Sequence, residues 1–205
     1  MKKPNVNFTA YVTRGILVLF LGLTLTACGG SQKPWGLTNI TGLMPNLSFT
    51  LTDQDGHTTT AKDFLGKVTL LYFGYTSCPD ICPTTMAMLS QTLHDLGPLA
   101  KQVRILFVTV DPARDTPAVL KKYVKSFGTE FIGLRAADDP TLRALTKRYR
   151  VTYSRGKPDA HGFYEVSHSS AVFVFDRKGR IRLMTTPQDK SAVVTADLRR
   201  LLTSS

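Results

Sequence analysis

Two cysteines, Cys78 and Cys82, lie where an apolar run ends and a helical pattern begins, and this junction constrains the fold more than any other feature of the sequence. Residues 68–72 are typical of a buried strand, and residues 83–96 have the pattern of a helix. Thiols at such a junction lie near backbone N–H groups and the positive end of a helix dipole, which favour thiolate. Because thiolate is both a redox nucleophile and a ligand for soft metals, the pair predicts one of these two chemistries.

The chain from residue 47 onward alternates predicted strands with predicted helices. An N-terminal hairpin is expected over residues 49–60, turning at Asp55-Gly56. Strands are also expected at 103–110 and 132–134, a second hairpin at 170–184, and helices at 115–127, 139–148 and 191–202. Strands joined by long helical crossovers predict a mixed central sheet flanked by helices. A cysteine pair that opens the first main helix of such an α/β sheet is typical of the thioredoxin-like fold.

The spacing of the pair is Cys-x-x-x-Cys, one residue longer than the Cys-x-x-Cys associated with rapid disulfide exchange. A four-residue step puts both sulfurs on one face of a helical turn. Such a pair can hold a metal ion, and it can also close a disulfide if Cys78 lies just outside the helix. Pro79 and Pro83 each follow a cysteine directly and suit the start of a helix.

Two sulfurs alone are an incomplete site for most metals, so a third ligand is expected among the histidines. His57 lies in the predicted hairpin turn, and His94 lies about three turns along the helix from Cys82. His168 leads directly into the strand expected at residues 170–175. In a thioredoxin-like sheet the loop that enters this strand lies beside the cysteine turn, which makes His168 the strongest candidate. His161, in a polar stretch nearby, is the second candidate.

The first 27 residues have the layout of a secretory signal. They contain 3 basic residues and no acidic residue, and their apolar segment is shorter than the about 20 residues that a membrane span needs. Cys28 follows Leu-Thr-Ala, which resembles the bacterial lipoprotein signal, in which that cysteine is acylated. We therefore predict a lipoprotein signal peptide at 1–27, a tether at 28–46 and a folded domain at 47–205. An uncleaved N-terminal anchor is the alternative.

The formal net charge of +11 does not by itself indicate nucleic-acid binding. Lys and Arg are spread over helical stretches such as residues 120–123, and no basic block alternates with aromatic residues. A solvated face, favouring an acidic membrane surface, explains the charge better. We expect no nucleic-acid partner for an exported lipoprotein.

Three segments of the domain together resemble a known family. They read YFGYTSCPDICPTTM, VTVDPARDTP and EVSHSSAVFVFD, and the hairpin LTDQDGHTTTAKDFLGK fits the beginning of the same family. Over residues 47–202 the chain resembles the Sco/SenC copper-delivery proteins, which are thioredoxin-like and membrane-anchored. The resemblance implies that Cys78, Cys82 and His168 bind one copper ion per monomer, as Cu(I), Cu(II) or both. It also implies a role in assembling the binuclear copper site of cytochrome c oxidase.

The resemblance further implies partners and a location. The expected recipient of copper is cytochrome c oxidase subunit II, and an upstream periplasmic copper chaperone is an expected donor. A lipid on Cys28 would hold the domain on the periplasmic side of the bacterial inner membrane. The family often has Asp before the histidine, where this chain has Ser167. Asp111 and Arg114 are expected to act in the second shell of the metal or to shape its loop, and a turn followed by a helix cap is the alternative.

The donor set supports copper without the family name. Two thiolates and an imidazole form a soft, three-coordinate set that suits Cu(I), whereas a structural zinc site would need four protein ligands. The competing hypothesis is a thiol–disulfide reductase that acts on the cysteines of the oxidase copper site. It uses the same two cysteines and does not need His168 as a ligand. A peroxidase of the peroxiredoxin or glutathione-peroxidase type and a static disulfide are further alternatives.

Overall fold

A computed structural model of the chain describes residues 33–203. The folded unit begins at Trp35. The expected signal peptide and the expected lipidation site, Cys28, lie outside the described residues. Between residues 33 and 203, no helix combines the length and the apolar character that crossing a membrane requires.

Ten strands lie in the described part of the chain. They are β1 (Thr38–Asn39), β2 (Thr50–Asp53), β3 (Thr58–Thr60), β4 (Val68–Gly74), β5 (Val103–Thr109), β6 (Phe131–Arg135), β7 (Tyr153–Arg155), β8 (Val166–His168), β9 (Val172–Phe175) and β10 (Ile181–Thr185). Eight of them form one sheet in the order β1-β10-β9-β4-β5-β6-β2-β3, and β7 pairs with β8 separately. The β4–β5 and β5–β6 pairs are parallel and the remaining pairs are antiparallel, so the predicted mixed sheet is confirmed.

Four α-helices accompany the sheet in this part of the chain. They are α1 (Ile81–Leu96), α2 (Pro117–Lys125), α3 (Asp139–Arg148) and α4 (Ser191–Thr203). The Thr116 side chain caps α2 and the Asp138 side chain caps α3, and each cap precedes an early proline. Helix α1 packs against α4, and α2 packs against β6.

The centre of the sheet is buried on both faces. Every residue of β4 is buried, as are residues 105–109 of β5, which explains why these strands are near-continuous apolar runs. The largest fully buried side chains include Tyr72, Phe107 and Tyr149. The carboxyl ends of these buried strands lie next to the cysteine loop, which follows β4 directly.

The N-terminal hairpin predicted from Asp55-Gly56 is present. Strands β2 and β3 pair through this turn, where Gly56 has a φ of +87°. The Asp53 carboxylate accepts hydrogen bonds from the amides of Asp55 and His57, which fixes the turn. β2 also pairs with β6, so the hairpin extends the edge of the main sheet.

Three local features differ from the expectations. The short strand β1 pairs with β10, and Leu37 and Ile40 are buried, so the folded unit begins before the boundary expected at residue 47. Helix α1 begins at Ile81, two residues earlier than predicted. The polar stretch before His168 contains the β7–β8 hairpin. Two-residue and three-residue strands carry too few side chains for a readable periodicity.

Candidate metal centre

Three segments of the chain meet at the edge of the sheet where the parallel strands end. Gly74 and Thr109, the last residues of β4 and β5, lie side by side. The loop after β4 carries Cys78, the first turn of α1 carries Cys82, and β8, which leads into β9, carries His168. One donor atom from each of these residues lies within 4.8 Å of the other two. The structure therefore brings together the three residues that the sequence singled out.

Cys82 is the deepest of the three candidate ligands. It is the second residue of α1 and fully buried, and its Sγ lies 3.2 Å from His168 Nε2. Burial raises the pKa of Cys82 to about 12. Burial therefore disfavours the thiolate that the position at a helix start was expected to favour, and without a metal Cys82 is a neutral thiol at neutral pH.

His168 is oriented by the backbone next to it. Its Nδ1 lies 3.0 Å from the carbonyl oxygen of Ser169. Because a carbonyl only accepts, Nδ1 carries the proton, and Nε2 presents its lone pair to Cys82 Sγ. Burial lowers the pKa of His168, which favours the neutral imidazole. Ser167 is exposed, so the acceptor that orients the ring is the Ser169 carbonyl rather than the side chain before the histidine.

Cys78 is the accessible thiol of the pair. It is half-buried, lies outside α1, and its Sγ accepts a hydrogen bond from the Cys82 amide at 3.4 Å. It lines an open cleft of about 350 Å³, with residues 79–81 on one side and residues 165–168 on the other. A metal ion held by the three donors would therefore have one face open to this cleft.

Gly74 creates the space that Cys82 occupies. A Cβ atom at this position would lie 2.9 Å from Cys82 Sγ and 2.8 Å from Phe107 Cε2. Non-bonded carbon atoms are usually about 3.5–4.0 Å apart, so any side chain here would displace the sulfur or the ring. This role of Gly74 could not be predicted from the sequence, because a glycine at the end of an apolar run does not reveal which atom approaches it.

Asp111 and Arg114 lie beside the site rather than in it. The fully buried Asp111 forms an ion pair with Arg114 and accepts a hydrogen bond of 2.8 Å from the Tyr164 hydroxyl. The Arg114 guanidinium carbon lies 3.8 Å from the centre of the Tyr164 ring and 5.6 Å from that of Tyr75. Tyr164 belongs to the loop between β7 and β8, and the Tyr75 ring lies edge-on to His168 at 5.8 Å. The pair therefore anchors the hairpin that carries His168.

The other histidines lie away from these donors. The side chains of His57 and His94 are 77% and 84% exposed and lie beside Asp53 and Asp95, respectively. His161, the second candidate from the sequence, is exposed in the loop between β7 and β8. Within residues 33–203, the cluster of Cys78, Cys82 and His168 is the one group of three or more potential metal-ligating side chains.

The donor set fits a soft metal ion. Bonds of about 2.0–2.3 Å to nitrogen and sulfur would place three donors about 3.5–4 Å apart, which is within the 4.8 Å limit of this cluster. Thiolate sulfur selects Cu(I), and imidazole is a good copper ligand. The fold and the site together define a thioredoxin-like domain with a Cys-Cys-His centre.

Comparison with known proteins assigns this domain to a family. Residues 44–203 match the family model of SCO1/SenC, and the chain belongs to this family. It is similar to an SCO2-like protein of Rickettsia felis, with 37% identity over 133 residues that cover 64% of each chain. The chain thus spans about two thirds of the length of this relative.

Two solved structures extend the similarity. Bradyrhizobium japonicum ScoI with copper bound is 37% identical, with a TM-score of 0.69 over 76% of this chain and 98% of that one. Yeast Sco1 with copper bound is 32% identical, with a TM-score of 0.71 over 78% of this chain and 91% of that one. The predicted thioredoxin-like fold and the resemblance to the Sco/SenC family are therefore confirmed.

Proposed function

We propose that the protein binds one copper ion through Cys78 Sγ, Cys82 Sγ and His168 Nε2, and that it helps to assemble the binuclear copper site of cytochrome c oxidase. The observation that carries the proposal is the convergence of these three soft donors within 4.8 Å. The copper-bound structures of Bradyrhizobium and yeast relatives support the choice of metal.

The two sides of the site suit capture and transfer. Cys82 is buried, and as a neutral thiol it donates its S–H to His168 Nε2, so a bound cation takes the place of that proton between the two donor atoms. Cys78 and His168 border the open cleft, where donor atoms of a partner can reach the ion and exchange ligands with it. We infer that cytochrome c oxidase subunit II is the recipient and that a periplasmic copper chaperone is a donor.

The location is part of the same proposal. A lipid on Cys28, the residue after the signal-like segment, would tether the domain to the bacterial inner membrane on its periplasmic side. A copper site of an oxidase that faces the same compartment would then be within reach.

A thiol–disulfide reductase is the second candidate, and the unequal exposure of the two cysteines favours it. An accessible thiol beside a buried one is suited to attack and resolution, respectively, because the outer sulfur meets the substrate disulfide first. In this alternative Cys78 attacks a disulfide of the oxidase copper site and Cys82 displaces the reduced product. This alternative does not need His168 as a metal ligand.

Metal titration tests the copper proposal. The full chain, reduced and purified in detergent without oxygen, should bind one Cu(I) ion and lose alkylation at both site cysteines. His168→Ala should weaken binding by more than the roughly 10–100-fold that loss of an outer-shell partner costs. His94→Ala removes a highly exposed histidine and should bind copper as the unaltered chain does. Two tight ions per chain, or a freely alkylated site thiol in the loaded protein, would contradict the three-donor centre.

A cellular comparison separates delivery from reduction. His168→Ala leaves both thiols in place, so disulfide exchange should survive. If delivery is the function, the His168→Ala strain loses oxidase activity and added copper restores part of it. If reduction is the function, that strain respires normally under copper limitation while Cys78→Ser and Cys82→Ser strains fail.

A further inference from the structure

The carboxylate of Asp115 is fully buried next to the cysteine loop. It accepts hydrogen bonds from the Thr109 hydroxyl at 2.6 Å, the Thr76 hydroxyl at 2.6 Å and the Thr76 amide at 3.1 Å. Burial raises the pKa of Asp115, and the hydrogen bonds from the two threonines oppose that rise. A buried carboxylate is costly unless its oxygens are paired, so these three bonds define where the group can lie.

The bonds connect two structural elements of the site. Thr109 ends β5 and lies in register with Gly74, the last residue of β4. Thr76 is the second residue after Gly74 and precedes Cys78 by two positions. Because Asp115 binds both the amide and the hydroxyl of Thr76, it fixes the backbone of the loop just before the accessible thiol. The other restraints of the loop act at Cys78, whose amide donates to the Tyr75 carbonyl at 3.3 Å and whose Sγ accepts from the Cys82 amide at 3.4 Å, so Asp115 restrains the loop at a separate point.

We propose that Asp115 is a positioning residue that keeps Cys78 Sγ at metal-binding distance from Cys82 and His168. The inference rests on the copper site proposed above. Asp115 has no role as a ligand here. It acts through Thr76, in the same way that Asp111 acts through Tyr164 on the hairpin that carries His168. One segment after β5 therefore restrains both halves of the centre.

Three variants and one control test this role in the full chain. Asp115→Ala removes all three bonds, and Thr76→Val removes only the hydroxyl bond while keeping the branched shape. Asp115→Asn keeps one acceptor oxygen for the Thr76 amide and should rescue part of the effect. Asp176→Ala is the control, because Asp176 is also buried and accepts the amides of Lys178 and Arg180, at the opposite end of β9.

The first measurement is Cu(I) affinity together with the sulfur-to-copper charge-transfer spectrum of the Cu(II) form. We expect Asp115→Ala to bind Cu(I) at least about tenfold more weakly and to shift the spectrum, with a smaller change in Thr76→Val. Asp176→Ala should lose stability but keep both properties. Unchanged affinity and spectrum in Asp115→Ala and Thr76→Val would overturn the proposal, and so would an equal change in Asp176→Ala.

The second measurement needs no metal. Hydrogen exchange in residues 75–80 should accelerate in Asp115→Ala, beginning at the Thr76 amide, and should stay unchanged in Asp176→Ala. If the unaltered chain and the Asp176→Ala control both fail to bind copper, the proposed function is wrong, and exchange in this loop alone decides the positioning role. Unchanged exchange in residues 75–80 would overturn that role even if copper binds.

Discussion

Replacing Gly74 with alanine tests whether the site depends on the close approach of Cys82 to β4. The added Cβ would lie 2.9 Å from Cys82 Sγ and 2.8 Å from Phe107 Cε2, nearly an ångström inside ordinary contact. Gly74 has no positive φ, so its backbone accepts alanine and the effect is steric. Overpacking of this kind costs about 1–3 kcal/mol, offset in part by about 0.4–1 kcal/mol from the less flexible unfolded chain.

A net loss of about 1–2 kcal/mol should lower the unfolding midpoint by about 2–8 °C in a domain of this size. Metal sites tolerate donor displacements of only about 0.5 Å. Because β4 and the Phe107 ring both lie against Cys82 Sγ, we expect relief of the clash to displace the sulfur by more than this distance. Gly74→Ala should therefore also weaken Cu(I) binding by at least about tenfold. Calorimetry gives the midpoint, and competition with a Cu(I) chelator gives the affinity.

Gly133→Ala provides a matched control on β6. A Cβ there would lie 3.2 Å from Leu120 Cβ and 3.3 Å from Val124 Cγ1, a milder clash between strand and helix that involves no candidate ligand. It should lower the unfolding midpoint by less than Gly74→Ala does and leave Cu(I) affinity unchanged. Wild-type affinity in Gly74→Ala, or an equal loss in both variants, would refute the steric argument.

Two further predictions concern acid stability and the anchor. Burial opposes ionisation of Asp176, but hydrogen bonds from Arg180 and Lys178 outweigh it and lower the pKa of this carboxyl group. Ionised Asp176 therefore stabilises the folded state above about pH 4, the ordinary pKa of an aspartate in the unfolded chain. This stabilisation is lost as the pH falls through the lower pKa of the folded state. Asp176→Asn should therefore flatten the acid side of a plot of unfolding midpoint against pH, and an unchanged slope would contradict this assignment. Mass spectrometry of the membrane fraction should find an acylated N-terminus at Cys28, whereas an unmodified Met1 would refute the lipoprotein prediction.

The central strands of the sheet could be predicted from the sequence, because a strand that is buried on both faces is a continuous run of apolar residues. The buried strands β4 and β5 are continuous apolar runs, and Asp55-Gly56 marks the hairpin turn. The strands β7 and β8 could not be predicted, because each has three residues and their pairing depends on contacts between distant segments. Strand β1 is also too short to be predicted. Its two residues are exposed, and the buried residues next to it, Leu37 and Ile40, lie outside the strand.

The candidate ligands were predictable, but most of what positions them was not. His168 could be selected because it enters a predicted strand next to the cysteine turn. The supporting contacts join residues far apart in sequence, such as Tyr164 to Asp111 and Thr76 to Asp115. The sequence predicted a helix that begins at Asp115. In the structure Thr116 is the N-cap of this helix, and the buried Asp115 carboxylate accepts a hydrogen bond from the Thr109 hydroxyl. The raised pKa of Cys82 could not be predicted either, because it follows from the burial of the side chain in the folded protein rather than from its position at a helix start.

The extra residue in the Cys-x-x-x-Cys spacing explains why the two thiols need different support. Helix α1 begins between them, so Cys82 is held by the helix and by the space at Gly74, while Cys78 remains in the loop. Asp80, at the cap position, makes no side-chain cap bond, and the Cys82 amide instead donates to Cys78 Sγ. This bond restrains Cys78 from the helix side, and Asp115 restrains its loop from the β5 side through Thr76. An accessible thiol held from two directions can meet a partner without losing its place among the three donors.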